Sequence, residues 1–183
     1  MGWAWLVASL AGGFVGLVAL FLFAMYLIGR SLPLEHRHTC RVRIGQPMEA
    51  VYERIADVQG WATWDDGVNR VEAENAAAPG ADFSGRMYMG RNTMGVRVRR
   101  SAPPKRLEIE VEDLGAKIFS GVWRYELSPE GGKATSVVLT EDGKIHAAIP
   151  RAFARKLADP MLYMKRHLRL LAKSFGEDGA VSP

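Results

Sequence analysis

The sequence predicts an α+β domain behind a single transmembrane helix. The domain is an antiparallel sheet with its helices gathered on one face. Three observations predict this: an uncharged apolar run at the N-terminus, a succession of alternating segments separated by turn residues, and a closing stretch with apolar residues at helical spacing. Composition sets the frame. The chain has 183 residues, which suits one domain, with 48% hydrophobic and 24% charged residues. That balance excludes a disordered, collagenous or polytopic membrane chain. A lone cysteine, Cys40, excludes an intrachain disulfide.

The apolar run spans 3–29 and contains no charged side chain. As a helix it covers roughly 40 Å, against about 30 Å for a bilayer core, and a secretory h-region needs only about 7–15 residues. No basic residue precedes the run and no small-x-small cleavage site closes it, so an uncleaved anchor is favoured over a signal peptide. Trp3, Trp5 and Tyr26 suit the two interfacial belts. Arg30, Arg37, Arg41 and Arg43 follow, opposed only by Glu35. The positive-inside rule then places the N-terminus outside and the C-terminal domain in the cytoplasm. Ala8, Gly12 and Gly16 have the small-residue spacing of a helix dimer, although such residues are common in spanning helices anyway.

Residues 30–38, with Pro33 and mixed charges, read as a linker. The domain is expected over 39–175, with a frayed tail at 176–183. Thr39–Gly45 alternates as a strand. From Pro47, Met48, Val51, Tyr52, Ile55 and Val58 follow helical spacing, and Trp61–Gly67 reads as a turn or second short helix. Six strands come next: Val68–Glu74, Asp82–Met89, Thr93–Arg100, Arg106–Asp113, Lys117–Leu127 and Ala134–Lys144. Turn residues separate them, including Pro79-Gly80, Gly90-Arg91-Asn92 and Pro103-Pro104. Arg97 and Arg99 on one strand and Glu108, Glu110 and Glu112 on the next predict facing basic and acidic rows on the solvent side.

A long helix is expected over Pro150–Phe175. Phe153, Leu157, Met161, Met164, Leu168, Leu171 and Phe175 form its apolar stripe, and Arg151, Arg155, Arg166, Arg169 and Lys173 its solvated side. Asp159-Pro160 predicts a bend, either as a kink or as a cap opening a new helix. The bend would let the helix follow a curved sheet.

This order resembles the START-like, helix-grip superfamily, which includes the polyketide cyclase/dehydrase and lipid-transport family. The residues that carry the resemblance are Pro47–Tyr52, Ala56–Trp64, Gly121–Leu127, Thr135–Gly143 and the closing helix. The resemblance implies a sheet curled around the long helix and a cavity for an apolar ligand. The wall residues it implies are Phe83, Met87, Met89, Met94, Phe119, Trp123, Tyr125, Met161 and Met164, with Trp61 and Trp64 near the mouth. Methionine-rich walls accept varied shapes. For each of these residues, ordinary core packing is the competing reading.

Signals for catalysis are sparse. The sequence contains no H-E-x-x-H, no paired cysteines, no G-x-S-x-G and no phosphate-binding glycine loop. No catalytic residue, metal or cofactor is assigned. His146 or His167 beside Asp57 or Tyr88 is the one acid–base pairing considered, and Asp65 and Asp66 read as turn-capping or solvated residues. Positive charge gathers near the anchor and on the closing helix, which suits an anionic membrane surface. Stacking aromatics among those basic residues are absent, so nucleic acid is not an expected partner.

The expected function is a membrane-anchored START-like domain that binds a hydrophobic small molecule or lipid without catalysis. The alternatives are a cyclase- or hydratase-type enzyme on an apolar substrate, and an interaction module whose cavity is filled by side chains.

Overall fold

The computed structural model describes residues 2–75 and 82–183, without the side chains of residues 4–6. The Pro79-Gly80 turn and the side chain of Trp5 therefore lie outside the described residues. Helix α1 spans Gly2–Ser31. Strand β1 (Glu35–Ile44), helix α2 (Met48–Ala56) and a 3₁₀ turn (Gln59–Thr63) follow. The strands β2 (Arg70–Ala73), β3 (Ser84–Met89), β4 (Asn92–Ala102), β5 (Arg106–Asp113), β6 (Phe119–Pro129) and β7 (Thr135–Ile145) come next. Helices α3 (Ala148–Lys156) and α4 (Leu162–Lys173) and the short strand β8 (Val181–Ser182) close the chain.

All eight strands form one antiparallel sheet in the order β2-β3-β4-β5-β6-β7-β1-β8. The first strand of the domain thus pairs with the last long one, with His36 opposite Gly143 and His38 opposite Glu141. Alternation decides which side of each strand is buried. Leu107, Ile109 and Val111 of β5 face the core, and their neighbours Glu108, Glu110 and Glu112 face out. Leu168, Leu171 and Met164 of α4 and Val51 and Ile55 of α2 cover the inner face, and all five are buried. At the β3–β4 hairpin Gly90 has φ +59°, a left-handed conformation that favours glycine.

Three expectations change, and one pair of alternatives is decided. Residues 30–38 are not an open linker: α1 continues to Ser31 and β1 begins at Glu35, which puts His36 and His38 on the sheet. Of the two forms expected at Asp159-Pro160, the closing stretch takes the second, a new helix after the break. α3 stops at Lys156, and before α4 the Asp159 carboxylate accepts the Met161 N–H at 2.9 Å. The tail is held: β8 pairs with Arg41 and Val42, and Glu177 accepts the Gly45 N–H at 2.7 Å. On the outer face Arg97 lies opposite Glu110, but a bulge between Val98 and Arg100 shifts the register. Glu108 instead pairs with Arg106 and with Arg124 of β6, at 2.5 and 3.0 Å.

Helix α1 is long and apolar enough to cross a membrane over Val7–Ser31. α3 packs on one face of its last turns, where Met25 and Gly29 are buried. A Cβ on Gly29 would lie 1.9 Å from the Ala148 carbonyl oxygen, so only glycine permits this approach. Arg151 is buried rather than solvated. Its Nε donates to the Gly29 carbonyl at 2.8 Å and its Nη1 to the Ile145 carbonyl at 2.6 Å, which ties the end of α1 to the end of β7.

Candidate functional site

The sheet and the α3–α4 segment enclose a cavity of about 320 Å³, within the usual size of a small-molecule site. Met89, Met94, Val111, Phe119, Trp123 and Ile145 line it from the sheet, and Ala154, Pro160, Tyr163 and Met164 from the helical side. Its polar lining is His36, His38, Asn92, Glu141 and Arg155. Asn92 and Pro160 are exposed, so the opening runs between the β3–β4 turn and the α3–α4 connection.

The polar wall is built on a gap in the sheet surface. A Cβ on Gly143 would meet the His36 ring at 2.6 Å, so the bare glycine lets that imidazole lie flat across β7. There His36 Nε2 is 2.9 Å from Glu141 Oε1, while the Trp123 indole N–H donates to Glu141 Oε2 at 2.7 Å. Trp123 can only donate, so Oε2 accepts from it, and with Glu141 as a carboxylate Oε1 accepts from the His36 Nε2–H. In the neutral ring, His36 Nδ1 is then a buried acceptor with no partner. The second imidazole, His38, stacks at a tilt 5.1 Å from His36. Burial, and then the neighbouring His36, hold His38 below its ordinary value of 6.5.

A second polar cluster lies behind the aromatic wall. His167 Nδ1 is 2.6 Å from Asp65 Oδ2 and its Nε2 is 2.9 Å from the Tyr125 hydroxyl. Asp65 also accepts the Gly67 N–H at 2.9 Å and the Tyr163 hydroxyl at 3.2 Å. Burial pushes the Asp65 carboxyl up, but His167, Gly67 and Tyr163 outweigh it and hold the group below its ordinary range. Burial drives the Tyr125 and Tyr163 phenols upward, so both stay protonated donors. With Asp65 a carboxylate, Nδ1 carries the His167 proton and Nε2 accepts from Tyr125, which satisfies every group. Tyr163 belongs to both clusters, since it lines the cavity with its ring 5.5 Å from that of Trp123.

The expected wall residues divide between cavity and core. Met89, Met94, Phe119, Trp123 and Met164 line the cavity. Phe83, Met87, Tyr125 and Trp61 are buried in the core, and Met161 packs against it. Trp61 donates its indole N–H to the Ile55 carbonyl at 2.9 Å, so it braces the core instead of sitting at the mouth. Trp64 borders a separate hollow with Asp57 and Phe175. The pairings considered for the histidines do not form: His146 meets Ser120, and His167 meets Asp65 and Tyr125. Asp65 caps its turn as expected, yet it is buried rather than solvated. Sequence reading missed His36, His38, Glu141 and Arg155 as cavity residues. The signal was present at His36 and His38, because Glu35–Thr39 keeps the exposed/half-buried alternation of β1.

Among the described residues, no group of three or more His, Cys, Asp or Glu side chains could hold a metal ion. The profile of the polyketide cyclase / dehydrase and lipid transport family matches residues 36–175. The chain belongs to that family. Solved structures agree on the START-like fold. A Chromobacterium violaceum protein is 21% identical, with TM-score 0.57, covering 80% of this chain and all of its own. An aromatase/cyclase from Streptomyces is 20% identical, with TM-score 0.63, covering 76% of this chain and 93% of its own. A START superfamily protein from Mycobacterium smegmatis is 15% identical, with TM-score 0.56, covering 76% of this chain and 94% of its own. No curated protein matches the chain. At these identities the likeness is one of fold. The family description spans cyclases and lipid transport, so function is argued from the site.

Proposed function

We propose that this chain is a membrane-anchored binding protein of the family. It takes up an apolar molecule that carries one hydrogen-bond donor and does not transform it. The observation that carries this reading is that His36 lines an otherwise largely apolar cavity and its buried Nδ1 has no partner, which in the neutral ring is an acceptor. A ligand hydroxyl or N–H placed there removes the cost of that unpaired group. An open volume of about 320 Å³ argues against the filled-cavity interaction module. The apolar α1 serves as anchor, and the four arginines after it favour a cytoplasmic domain. Ala8, Gly12 and Gly16 are exposed on α1 and would be the contact if the anchor dimerises.

The second reading, an acid–base enzyme on an apolar substrate, is favoured by one observation. A carboxylate orients His36, and its free nitrogen lies at the cavity wall, as a general base requires.

A series of straight-chain alcohols tests the binding reading. Added to the full chain in detergent, they should change the fluorescence of Trp123, with affinity rising with chain length and then stopping once the cavity is full. Trp123→Phe identifies the response, and Val111→Phe should shorten the cut-off. Affinity that rises without limit and ignores Val111→Phe would mean micelle partitioning and would overturn the reading.

A further inference from the structure

We infer that the α3–α4 tip is inserted into the membrane surface, so that the cavity opens towards the bilayer and exchanges its ligand there directly. This rests on the reading of α1 as an anchor and of the cavity as a binding site.

The free part of α1 sets the depth. Residues 7–20 are exposed throughout, and the helix from Gly2 to Leu20 is about 28 Å long, close to the ~30 Å bilayer core. Beyond that point α3 packs on one face of α1, while Leu22, Phe23, Tyr26 and Leu27 stay exposed on the others. The Phe21 and Phe153 rings meet edge to face at 6.0 Å, Met25 is buried, and the Gly29 carbonyl accepts from Arg151 at 2.8 Å. Ala148 lies beside Gly29 and Phe153 beside Phe21, so α3 runs antiparallel to α1 and its C-terminal end points at the membrane. Leu22, Phe23 and Leu27 stay exposed on the faces α3 leaves free, so the hydrocarbon reaches at least the level of Phe21 and Phe153.

What α3 presents at that level fits a bilayer. Phe153, Leu157 and Leu162 are 38%, 60% and 63% exposed, and a water-facing tip has no use for three such side chains together. Lys156 is exposed at the same tip, and its long side chain can reach back to the lipid phosphates. The one acidic residue of the tip, Asp159, is neutralised by Lys165 at 2.9 Å. The same tip is the cavity's rim: Ala154, Arg155 and Pro160 line the opening, interleaved in sequence with the exposed apolar residues. A ligand leaving between Pro160 and Asn92 would enter the interface without crossing water.

The test places an environment-sensitive fluorophore on the full chain in phosphatidylcholine–phosphatidylglycerol vesicles. Leu157→Cys and Leu162→Cys carry it at the tip, Leu20→Cys marks the anchor, and Arg97→Cys marks the outer sheet face. Cys40 is fully buried and stays unlabelled. Labels at 157 and 162 should emit to the blue and lose most of their intensity to lipids spin-labelled near the headgroup, while the label at 97 does neither. Water-like emission at the tip beside a quenched label at 20 would overturn the inference and leave the anchor intact. Shielding at the tip that depends on protein concentration and ignores the spin-labelled lipid would overturn it in favour of contact between copies. The alcohol titration reads the cavity separately, so failure there is distinct from either outcome.

Discussion

Asp65 and His167 lie 102 positions apart in the chain, yet their side chains meet at 2.6 Å with neither exposed to solvent. The contact ties the turn after α2 to α4. It also fixes Tyr163, which shares the Asp65 carboxylate and forms part of the cavity wall. A polar cluster thus sets the position of an apolar surface.

Removing one partner should be costly. Asp65→Ala leaves the His167 Nδ1–H and the Tyr163 hydroxyl buried without an acceptor. Each buried polar group left without its hydrogen bond costs about 1–3 kcal/mol. Urea unfolding of the full chain in detergent should show a drop of that order. A change below about 1 kcal/mol would mean that water or a rearrangement replaces the contact.

The same group sets an acid limit. The folded Asp65 carboxyl lies below its ordinary value of 3.8, so its contribution is complete above that value and is lost as pH falls through the folded one. Stability measured against pH should therefore decline more steeply below about pH 4 in the wild type than in Asp65→Asn. Parallel curves would contradict the assignment.

The buried phenols set an alkaline limit. Tyr125 and Tyr163 both sit above their ordinary value of 10.0, so their contribution is complete below that pH and is lost as pH rises beyond it. In a spectrophotometric titration these two phenols should ionise together with loss of the fold.

Gly143 should tolerate no side chain. A Cβ there meets the His36 ring at 2.6 Å and Phe119 at 2.9 Å, both parts of rigid rings. Gly143→Ala should cost about 1–3 kcal/mol by overpacking and should break the His36–Glu141 contact. His36→Phe, by contrast, keeps the ring and removes the acceptor. It should weaken alcohol binding by about 0.5–1.5 kcal/mol, measured as the shift in Kd, with the fold retained.

Much of the fold was legible because it is written in local periodicity. The strand read over Arg106–Asp113 is β5 without change, and Met94, Trp123 and Met164 fall on the inner face that alternation and helical spacing gave them. The site was less legible because its polar parts are joined across the sheet. Nothing near Asp65 in sequence names His167 as its partner, and nothing near Gly143 names His36. Charge and Pro33 disguised the start of β1 as a linker. Arg151 looked like a solvated cation because its partners, the carbonyls of Gly29 and Ile145, carry no side-chain signal. The two-residue β8 is too short for any period to mark.

Mass spectrometry of what the full chain carries tests the central claim most directly. The protein is purified in detergent, stripped with organic solvent, and compared with Val111→Phe prepared identically. The wild type should release a defined apolar compound bearing a hydroxyl or N–H, absent from Val111→Phe and recovered unchanged after rebinding. Identical extracts from both proteins would contradict a ligand-holding cavity, and a compound recovered with altered mass would contradict binding without transformation.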